Sequence, residues 1–179
     1  MARRSQTSTA ILGALSIEPL TGYEIRQAIT SVLGHFWHES YGQIYPCLTE
    51  LEADGLVSSA PGDRAHSSRF AITPRGRRCL RQLLAEAPVP QPPRNGVLLR
   101  TFFGEAMAPQ DLTRMLDTVI ADAHARLASY AGIRDEIARD PRYPDHGRYW
   151  EATVRAGELS AQAQITWATE TRAALDLPA

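Results

Sequence analysis

The sequence predicts a mainly α-helical protein, in which a winged helix-turn-helix with a small β-hairpin wing precedes a C-terminal domain of long helices that dimerises. Short helices with one apolar side and two strand-like runs occupy the first half. Four prolines fall within residues 88–93, where they interrupt any helix. Two long amphipathic stretches follow. We therefore expect a winged domain at residues 1–87, a linker at 88–95 and a helical domain at 96–179.

Composition excludes several classes of protein. Of the 179 residues, 44% are hydrophobic, as in ordinary folded proteins. No run approaches the roughly 20 apolar residues of a membrane-spanning helix, and the polar start gives no secretory signal, so a cytoplasmic protein is expected. Cys47 and Cys79 indicate neither a disulfide scaffold nor a cysteine-rich zinc site. No catalytic motif is present, so neither an enzyme nor a cofactor is expected.

Two short helices are predicted near the start of the chain. Residues 9–17 are apolar enough to form a buried helix, which ends near Pro19. Residues 23–29 form a second helix, in which Thr21 is the candidate N-terminal cap and Ile25 and Ile29 share one side.

The third predicted helix is the most informative element. Ser40 can cap it, and Gln43 stands at the second position of a capping box. Its apolar side is formed by residues at helical spacing: Ile44, Leu48, Leu51 and Gly55. The opposite side carries small residues: Gly42, Pro46, Thr49 and Ala53. A small-residue side lets the helix backbone approach a surface such as a DNA major groove, although small outward residues are also common.

A β-hairpin and a fourth helix are predicted after Gly55. Residues 56–59 and 69–73 are strand-like, and a Pro-Gly-Asp turn signal lies between them. Thr73 can cap the fourth helix, with Pro74 at its first position. Its predicted inward residues are Leu80, Leu83 and Leu84. Three helices, a hairpin and a closing helix make a winged helix.

Positive charge is concentrated on the hairpin and the fourth helix. The formal net charge is only −1, but residues 57–82 contain six arginines and a single acidic residue, Asp63. A local basic patch attracts phosphates whatever the total charge is. The segment is therefore a candidate for contact with nucleic acid.

Two helices of roughly 30 residues are expected after the linker, one ending near Asp140 and the next running from about Asp145 to Leu175. At 1.5 Å per residue each extends about 45 Å, too long for so small a domain to cover, so a second copy of the chain is expected. The predicted dimer contacts lie on the inward side of the last helix: Trp150, Val154, Gly157, Ala161, Ile165 and Ala168.

Several motifs occur in a fixed order in the first half. They are Thr21-Gly22-Tyr23-Glu24-Ile25, Gly42-Gln43-Ile44-Tyr45-Pro46, Leu51-Glu52, Gly55-Leu56-Val57 and Ile72-Thr73-Pro74-x-Gly76. In these the chain resembles the PadR family of bacterial transcriptional regulators, and residues 98–104 are similar to its longer subgroup, whose C-terminal helices dimerise. The resemblance implies a homodimeric repressor that binds a roughly palindromic operator and releases it when a phenolic or hydrophobic effector binds.

This fold suggests how DNA is held, with the third helix in the major groove and the wing on flanking phosphates. Gln43 and Thr49 are the best candidates for base contacts. The other predicted DNA contacts are Arg3, Arg4, Thr7, Tyr23, Ser40, Tyr41, Tyr45, Pro46, Arg64, His66, Ser68, Arg69 and Arg75. Tyr41 and Tyr45 could equally be half-buried in the core.

An effector pocket is expected where the two halves meet, because apolar walls suit small organic ligands. Its candidate lining residues are Trp37, Phe102, Phe103, Tyr149, Trp150 and Trp167, each of which could instead be plain core. One alternative is a metal-responsive repressor that uses His35 and His38, with Glu39 and His66 or His124. Another is a ligand-binding adaptor of the same fold that does not bind DNA.

Overall fold

The computed structural model describes residues 2–29, 41–61, 68–88, 94–139 and 144–177. The chain divides into two units, Met1–Gln91 and Pro92–Ala179. No helix within the described ranges is both long enough and apolar enough to cross a membrane.

The N-terminal unit is a winged helix, as predicted. Its elements in chain order are α1 (Ala2–Ile17), β1 (Leu20–Thr21), α2 (Gly22–Ala28), α3 (Tyr41–Ala53), β2 (Val57–Pro61), β3 (Ser68–Ile72) and α4 (Pro74–Ala85). The sheet is antiparallel with strand order β1-β3-β2. Strands β2 and β3 form the wing, and Val57 pairs with Ile72 at its base.

One apolar core holds α1, α2, α3 and α4 together. Its buried members are Ile11, Leu12, Leu15, Ile25, Ile29, Ile44, Cys47, Leu48, Leu51, Val57 and Leu80. Side chains from the sheet, including those of Leu20, Phe70 and Ile72, pack against them. Because α1, α3 and α4 each bury one side, the core decides which side of each helix faces outward.

Side-chain caps define where α2 and α4 begin. Thr21 Oγ1 accepts a hydrogen bond from the Glu24 backbone N–H at 3.2 Å, and a Glu24 carboxylate oxygen accepts from the Thr21 N–H at 2.7 Å, which completes a capping box. Thr73 Oγ1 accepts from the Gly76 N–H at 3.0 Å at the start of α4. Both predicted caps are confirmed.

The end of α3 has the backbone geometry of a Schellman motif. The Leu56 N–H donates to the Leu51 carbonyl at 2.8 Å, and the Gly55 N–H donates to the Glu52 carbonyl at 2.9 Å. Gly55 has a φ of 66°, a conformation that costs glycine little because it has no Cβ. This stop turns the chain from α3 directly into the wing.

Four details of the first half differ from the prediction. Helix α1 begins at Ala2 and not at residue 9. Its first turns are polar, so no apolar periodicity indicated that they are helical. Strand β1 was missed, because two residues are too few to show alternation. Leu84 is 66% exposed, although an inward position was predicted. Gly55 is exposed beyond the end of α3 and not on its apolar side.

The C-terminal unit is a pair of long helices preceded by short ones. Helix α5 (Gly96–Phe102) is capped by Asn95, and a 3-10 helix (Gly104–Ala106) follows it. Helices α6 (Pro109–Arg139) and α7 (Pro144–Ala174) each contain 31 residues. They run antiparallel, as three polar links between them show: Asp117 with Arg172, Arg126 with Gln164, and Arg134 with Glu158.

Small residues on α7 allow it to pack closely on α6. A Cβ placed on Gly157 would lie 2.4 Å from Cζ of Tyr130, so the phenol ring fills the space beside that glycine. Beside this contact, hydrogen bonds from Arg155 and Arg134 hold the pKa of Glu158 below its usual range. The two helices therefore meet through both apolar and charged contacts.

The predicted dimer contacts on α7 are wrong for three of the six residues. Val154, Ala161 and Ala168 are buried within one copy of the chain, at 6%, 1% and 0% exposure. Gly157 lies beside the Tyr130 ring but is only half-buried, as are Trp150 and Ile165, so for these three residues the contact stays a prediction. The apolar spacing correctly indicated an inward side, but at Val154, Ala161 and Ala168 the covering element is α6 of the same chain.

We expect Gly76→Ala to destabilise the N-terminal unit by about 2–3 kcal/mol, because overpacking against backbone is costly. The added Cβ would lie 2.1 Å from the carbonyl oxygen of Leu56, which accepts the Thr73 N–H at 3.0 Å. Urea unfolding of the full chain measures the change. Gly13→Ala in α1 is the control, since a Cβ there meets nothing within 4 Å; equal stability of the two variants would contradict the packing described.

Gly157→Ala should destabilise the α6–α7 pair by about 1–3 kcal/mol, because the Tyr130 ring must move out of a filled space. Gly132→Ala in α6 is the matched control, with nothing within 4 Å of its added Cβ, and should gain up to about 1 kcal/mol from helix propensity. Thermal unfolding monitored by circular dichroism compares them. A G157A protein that unfolds at the wild-type temperature would show that α7 does not pack this closely.

Candidate nucleic-acid interface

The outward side of α3 is open, as its residue spacing predicts. Gly42, Tyr45, Pro46, Thr49 and Ala53 are exposed there. The opposite side of the same helix is buried in the core: Ile44, Cys47, Leu48 and Leu51. Since most of the outward side chains are small, the backbone of α3 can come close to an opposing surface.

Tyr45 ties α3 to the start of α2. A Cβ on Gly22 would lie 2.7 Å from Cε1 of Tyr45, so the ring lies against the start of α2 in space that a larger residue would occupy. Tyr45 nevertheless stays 54% exposed, and Tyr23, the next residue of α2, is 62% exposed. The Arg26 guanidinium lies 5.9 Å from the centre of the Tyr23 ring. Two phenols are thus exposed on the surface of the α2–α3 junction, with an arginine beside one of them.

The two predicted base-contacting residues differ in what they present. Thr49 is exposed, and its hydroxyl donates to the Tyr45 carbonyl at 3.1 Å, which leaves the oxygen free to accept a further hydrogen bond. Gln43 is half-buried, and its Oε1 is buried without a hydrogen bond from the described residues. Gln43 can therefore offer a base only its Nε2 amino group.

Pro46 lies inside α3 and is exposed. Proline has no backbone N–H, so the carbonyl of Gly42, four residues earlier, lacks the helical hydrogen bond that it would otherwise accept. Ser40 lies outside the described residues, as does the side chain of Tyr41.

The predicted contacts on the wing and the arginines of α4 have different environments. Ser68 and Arg75 are exposed, whereas Arg64 and His66 lie outside the described residues. Arg77 donates to the Ser16 carbonyl at 3.1 Å and so connects α4 to the end of α1.

Arg69 does not extend freely from β3. Its Nη1 donates to the Pro19 carbonyl at 2.7 Å, and its Nη2 lies 3.7 Å from Oε1 of Glu24. This role of Glu24 was not predicted from the sequence. The Thr-x-x-Glu spacing of residues 21–24 would have indicated the capping box, but no sequence signal connects Glu24 with a distant strand.

The predicted contact of Thr7 with DNA is wrong. Its side chain is only 3% exposed, because the polar start of α1 is part of a helix that packs Thr7 inward. Arg3 and Arg4 belong to the same helix, and their side chains lie outside the described part of the chain.

The candidate effector residues are not alike. Phe102 and Phe103 are 79% and 60% exposed, and their rings meet edge to face with centroids 5.0 Å apart. Tyr149 is also exposed, and the half-buried Trp150 stacks on His146. Trp167 packs against the buried cluster of α6 and α7, which favours the plain-core alternative for that residue. Trp37 lies outside the described residues.

The metal alternative gains no support from the described residues. His124 is exposed on α6, and no three His, Cys, Asp or Glu side chains group around a common point in the ranges that the structure covers. His35, His38, Glu39 and His66 fall outside those ranges.

The chain is similar in sequence to known transcriptional regulators along most of its length. Residues 11–82 match the Transcriptional regulator PadR-like family, and residues 93–176 match the Virulence activator alpha C-term family. The Negative transcriptional regulator PadR of Bacillus subtilis is 26% identical over 149 residues, covering 78% of this chain and 82% of that protein. A probable transcriptional regulator of Mycobacterium tuberculosis is 27% identical over 180 residues, covering 93% and 95%.

Solved structures share the fold over nearly the whole chain. The PadR-like transcriptional regulator BC1756 from Bacillus cereus superposes with a TM-score of 0.80 at 22% identity, covering 95% of this chain and 98% of that one. Bacillus subtilis PadR in complex with operator DNA gives a TM-score of 0.78 at 23% identity, covering 93% and 96%. The same protein in complex with p-coumaric acid gives 0.77 at 23% identity, covering 94% and 98%.

Proposed function

The chain belongs to the PadR-like family of transcriptional regulators, and from this premise we propose that it is a homodimeric repressor that binds operator DNA and releases it when a small aromatic or hydrophobic effector binds. The observation that carries the proposal is the exposed small-residue side of α3, bordered by the phenol of Tyr45. A helix with one fully buried side and one open small side is suited to insertion into a major groove.

In the proposed complex, α3 reads bases while its neighbours hold phosphates. Hydrogen bonds along the inserted side come from the hydroxyl of Thr49, Nε2 of Gln43 and the phenol of Tyr45. Pro46 completes the groove-facing side through its apolar surface. The proposed backbone contacts come from Arg3, Arg4, Tyr23, Ser40, Tyr41, Arg64, His66, Ser68 and Arg75. Such contacts set the register of the protein on the duplex, and base contacts give sequence preference.

Release by an aromatic effector is proposed from chemistry and from a relative. Bacillus subtilis PadR has been solved with p-coumaric acid, a phenolic acid. In this chain, Phe102, Phe103 and Tyr149 expose aromatic surface of the kind that stacks on such a ring. Trp37 and Trp150 are the further candidate contacts.

Dimerisation is proposed because the C-terminal unit leaves large apolar side chains uncovered. Leu98 and Leu99 of α5 are 49% and 60% exposed, and Leu159 and Leu175 of the α7 region are 53% and 50% exposed. Uncovered apolar surface of this kind marks interaction sites. A twofold-related copy would cover it, and a dimer that reads a palindromic operator needs its two α3 helices about one DNA turn, roughly 34 Å, apart.

Selection of duplexes from a random pool, with footprinting on the DNA upstream of the gene, tests the DNA-binding function. We expect the wild-type protein to enrich a palindromic sequence and to release it when p-coumaric acid or a related phenol is added. A protein that binds enriched and scrambled duplexes equally would refute DNA reading, and one that binds selectively but ignores every phenol would refute only the effector class.

Thr49→Val should weaken binding to the selected duplex by about two- to tenfold, the effect of losing one hydrogen bond of about 0.5–1.5 kcal/mol. Thr118→Val on α6 is the matched control, because that exposed hydroxyl also donates to the carbonyl four residues earlier, at 2.8 Å. Gel-shift titration measures both variants. Equal affinities for the T49V and T118V proteins would remove Thr49 from the base-contacting set.

A chain cut after Pro93 should be monomeric and should bind the full operator at least about 100-fold more weakly, because the two reading helices are no longer linked. Sedimentation gives the oligomeric state, and circular dichroism verifies that the winged helix remains folded. A folded monomer with the affinity of the full-length chain would contradict the dimer proposal.

A further inference from the structure

Arg69 occupies a place on the wing where a phosphate ligand would be expected, yet the structure uses its guanidinium within the N-terminal unit. Nη1 donates to the Pro19 carbonyl at 2.7 Å, and Nη2 is 3.7 Å from Oε1 of Glu24. Both side chains are only about two-fifths exposed, at 39% and 40%. A guanidinium held by a carbonyl and beside a carboxylate has part of its positive charge already compensated.

The Glu24 carboxylate serves a second element at the same time. Its Oε2 accepts the Thr21 backbone N–H at 2.7 Å and the Thr21 hydroxyl at 3.0 Å, which caps α2. One carboxylate therefore joins the wing strand to the start of α2. We call this group, formed by Arg69, Glu24, Thr21 and the Pro19 carbonyl, the wing clamp.

The wing clamp lies where the short strand β1 pairs with β3. Strand β1 has only two residues, and Thr21 of β1 pairs with Arg69 of β3. Directly after it, Gly22 receives the ring of Tyr45 from α3. The wing, the cap of α2 and the outward side of α3 are thus linked within a few consecutive contacts.

We propose that Arg69 and Glu24 are positioning residues, which fix the wing relative to α3 for operator recognition, and that Arg69 is not a phosphate ligand. This inference rests on the proposed DNA-binding function. It assigns a role in DNA binding to Glu24, a carboxylate that DNA phosphates repel. Because an ion pair this exposed adds little net stability, its loss should change the geometry of binding and not the fold.

The direction in which one substitution changes the affinity for DNA distinguishes the two possible roles of Arg69. Glu24→Gln keeps an oxygen that accepts the Thr21 N–H, so the cap of α2 is retained, but it removes the negative charge. If Arg69 were a phosphate ligand restrained by Glu24, E24Q would free it and strengthen DNA binding. If the pair positions the wing, E24Q weakens binding even though a negative charge near the duplex has gone.

The experiment uses the full-length chain as wild type, E24Q, R69A, R69K and the double variant E24Q/R69A. Arg81→Ala is the control, since Arg81 is an exposed arginine of α4 and its loss removes the same charge. Affinity is measured for the duplex selected by the wild-type protein and for a scrambled duplex, between 50 and 200 mM salt, and thermal unfolding is recorded for each variant.

We expect E24Q, R69A and R69K each to weaken binding to the selected duplex by about two- to fivefold, the factor that an exposed restraint of this kind can supply. The double variant should be no worse than R69A. Binding to the scrambled duplex, the slope of log affinity against log salt, and the unfolding temperature should all stay close to wild type, as they should for R81A.

Three results would overturn the inference. A fall of about 0.9 in the salt slope of R69A, with R69K near wild type and E24Q tighter, would make Arg69 a phosphate ligand. Wild-type selectivity in all the variants would mean that the wing clamp has no role in recognition. Equal losses for both duplexes together with a lower unfolding temperature would mean that it only supports the fold. Failure of the proposed function is seen separately, because the wild-type protein itself would then not distinguish the two duplexes.

Discussion

The burial of one side of α3 is the constraint on which the rest of the interface depends. Ile44, Leu48 and Leu51 are at most 4% exposed in the core shared with α1, α2 and α4. Burying such side chains contributes about 1.5–3 kcal/mol each, which greatly exceeds what any single surface contact could add. Rotating α3 would expose them, so its outward side is fixed before any ligand arrives, and the same core positions the wing through Val57.

Two close backbone approaches convert this core into a defined surface. Gly76 lets the start of α4 meet the carbonyl of Leu56, where the wing begins, and Gly22 lets Tyr45 cross the start of α2. In each case a Cβ would occupy the space that a neighbour now fills. The orientation of the wing and of the α2–α3 junction thus depends on steric fit as well as on hydrogen bonds. A similar close approach occurs in the C-terminal unit, where the ring of Tyr130 packs against Gly157.

The sequence could predict which residues are buried more reliably than what buries them. Helical spacing correctly separated Ile44 and Leu48 from Thr49, because a core selects apolar residues once per turn. The same reasoning marked Val154 and Ala161 as inward but assigned the wrong partner, since α6 and a second copy would impose the same pattern. Polar pairs between distant segments leave no period at all, so the contact of Arg69 with Glu24 could only be seen in three dimensions.

Pro46 has a consequence that lies in the backbone of α3. Because it has no N–H to donate to the Gly42 carbonyl, the start of α3 lacks one intrahelical hydrogen bond, beside an exposed glycine that has no side chain. A base amino group at the groove floor is a natural donor to such an oxygen. Alanine substitutions elsewhere in α3 would leave the Gly42 oxygen without this N–H, and Pro46→Ala would restore it, so in the proposed complex part of the operator preference would depend on a missing backbone hydrogen bond and not on a side chain.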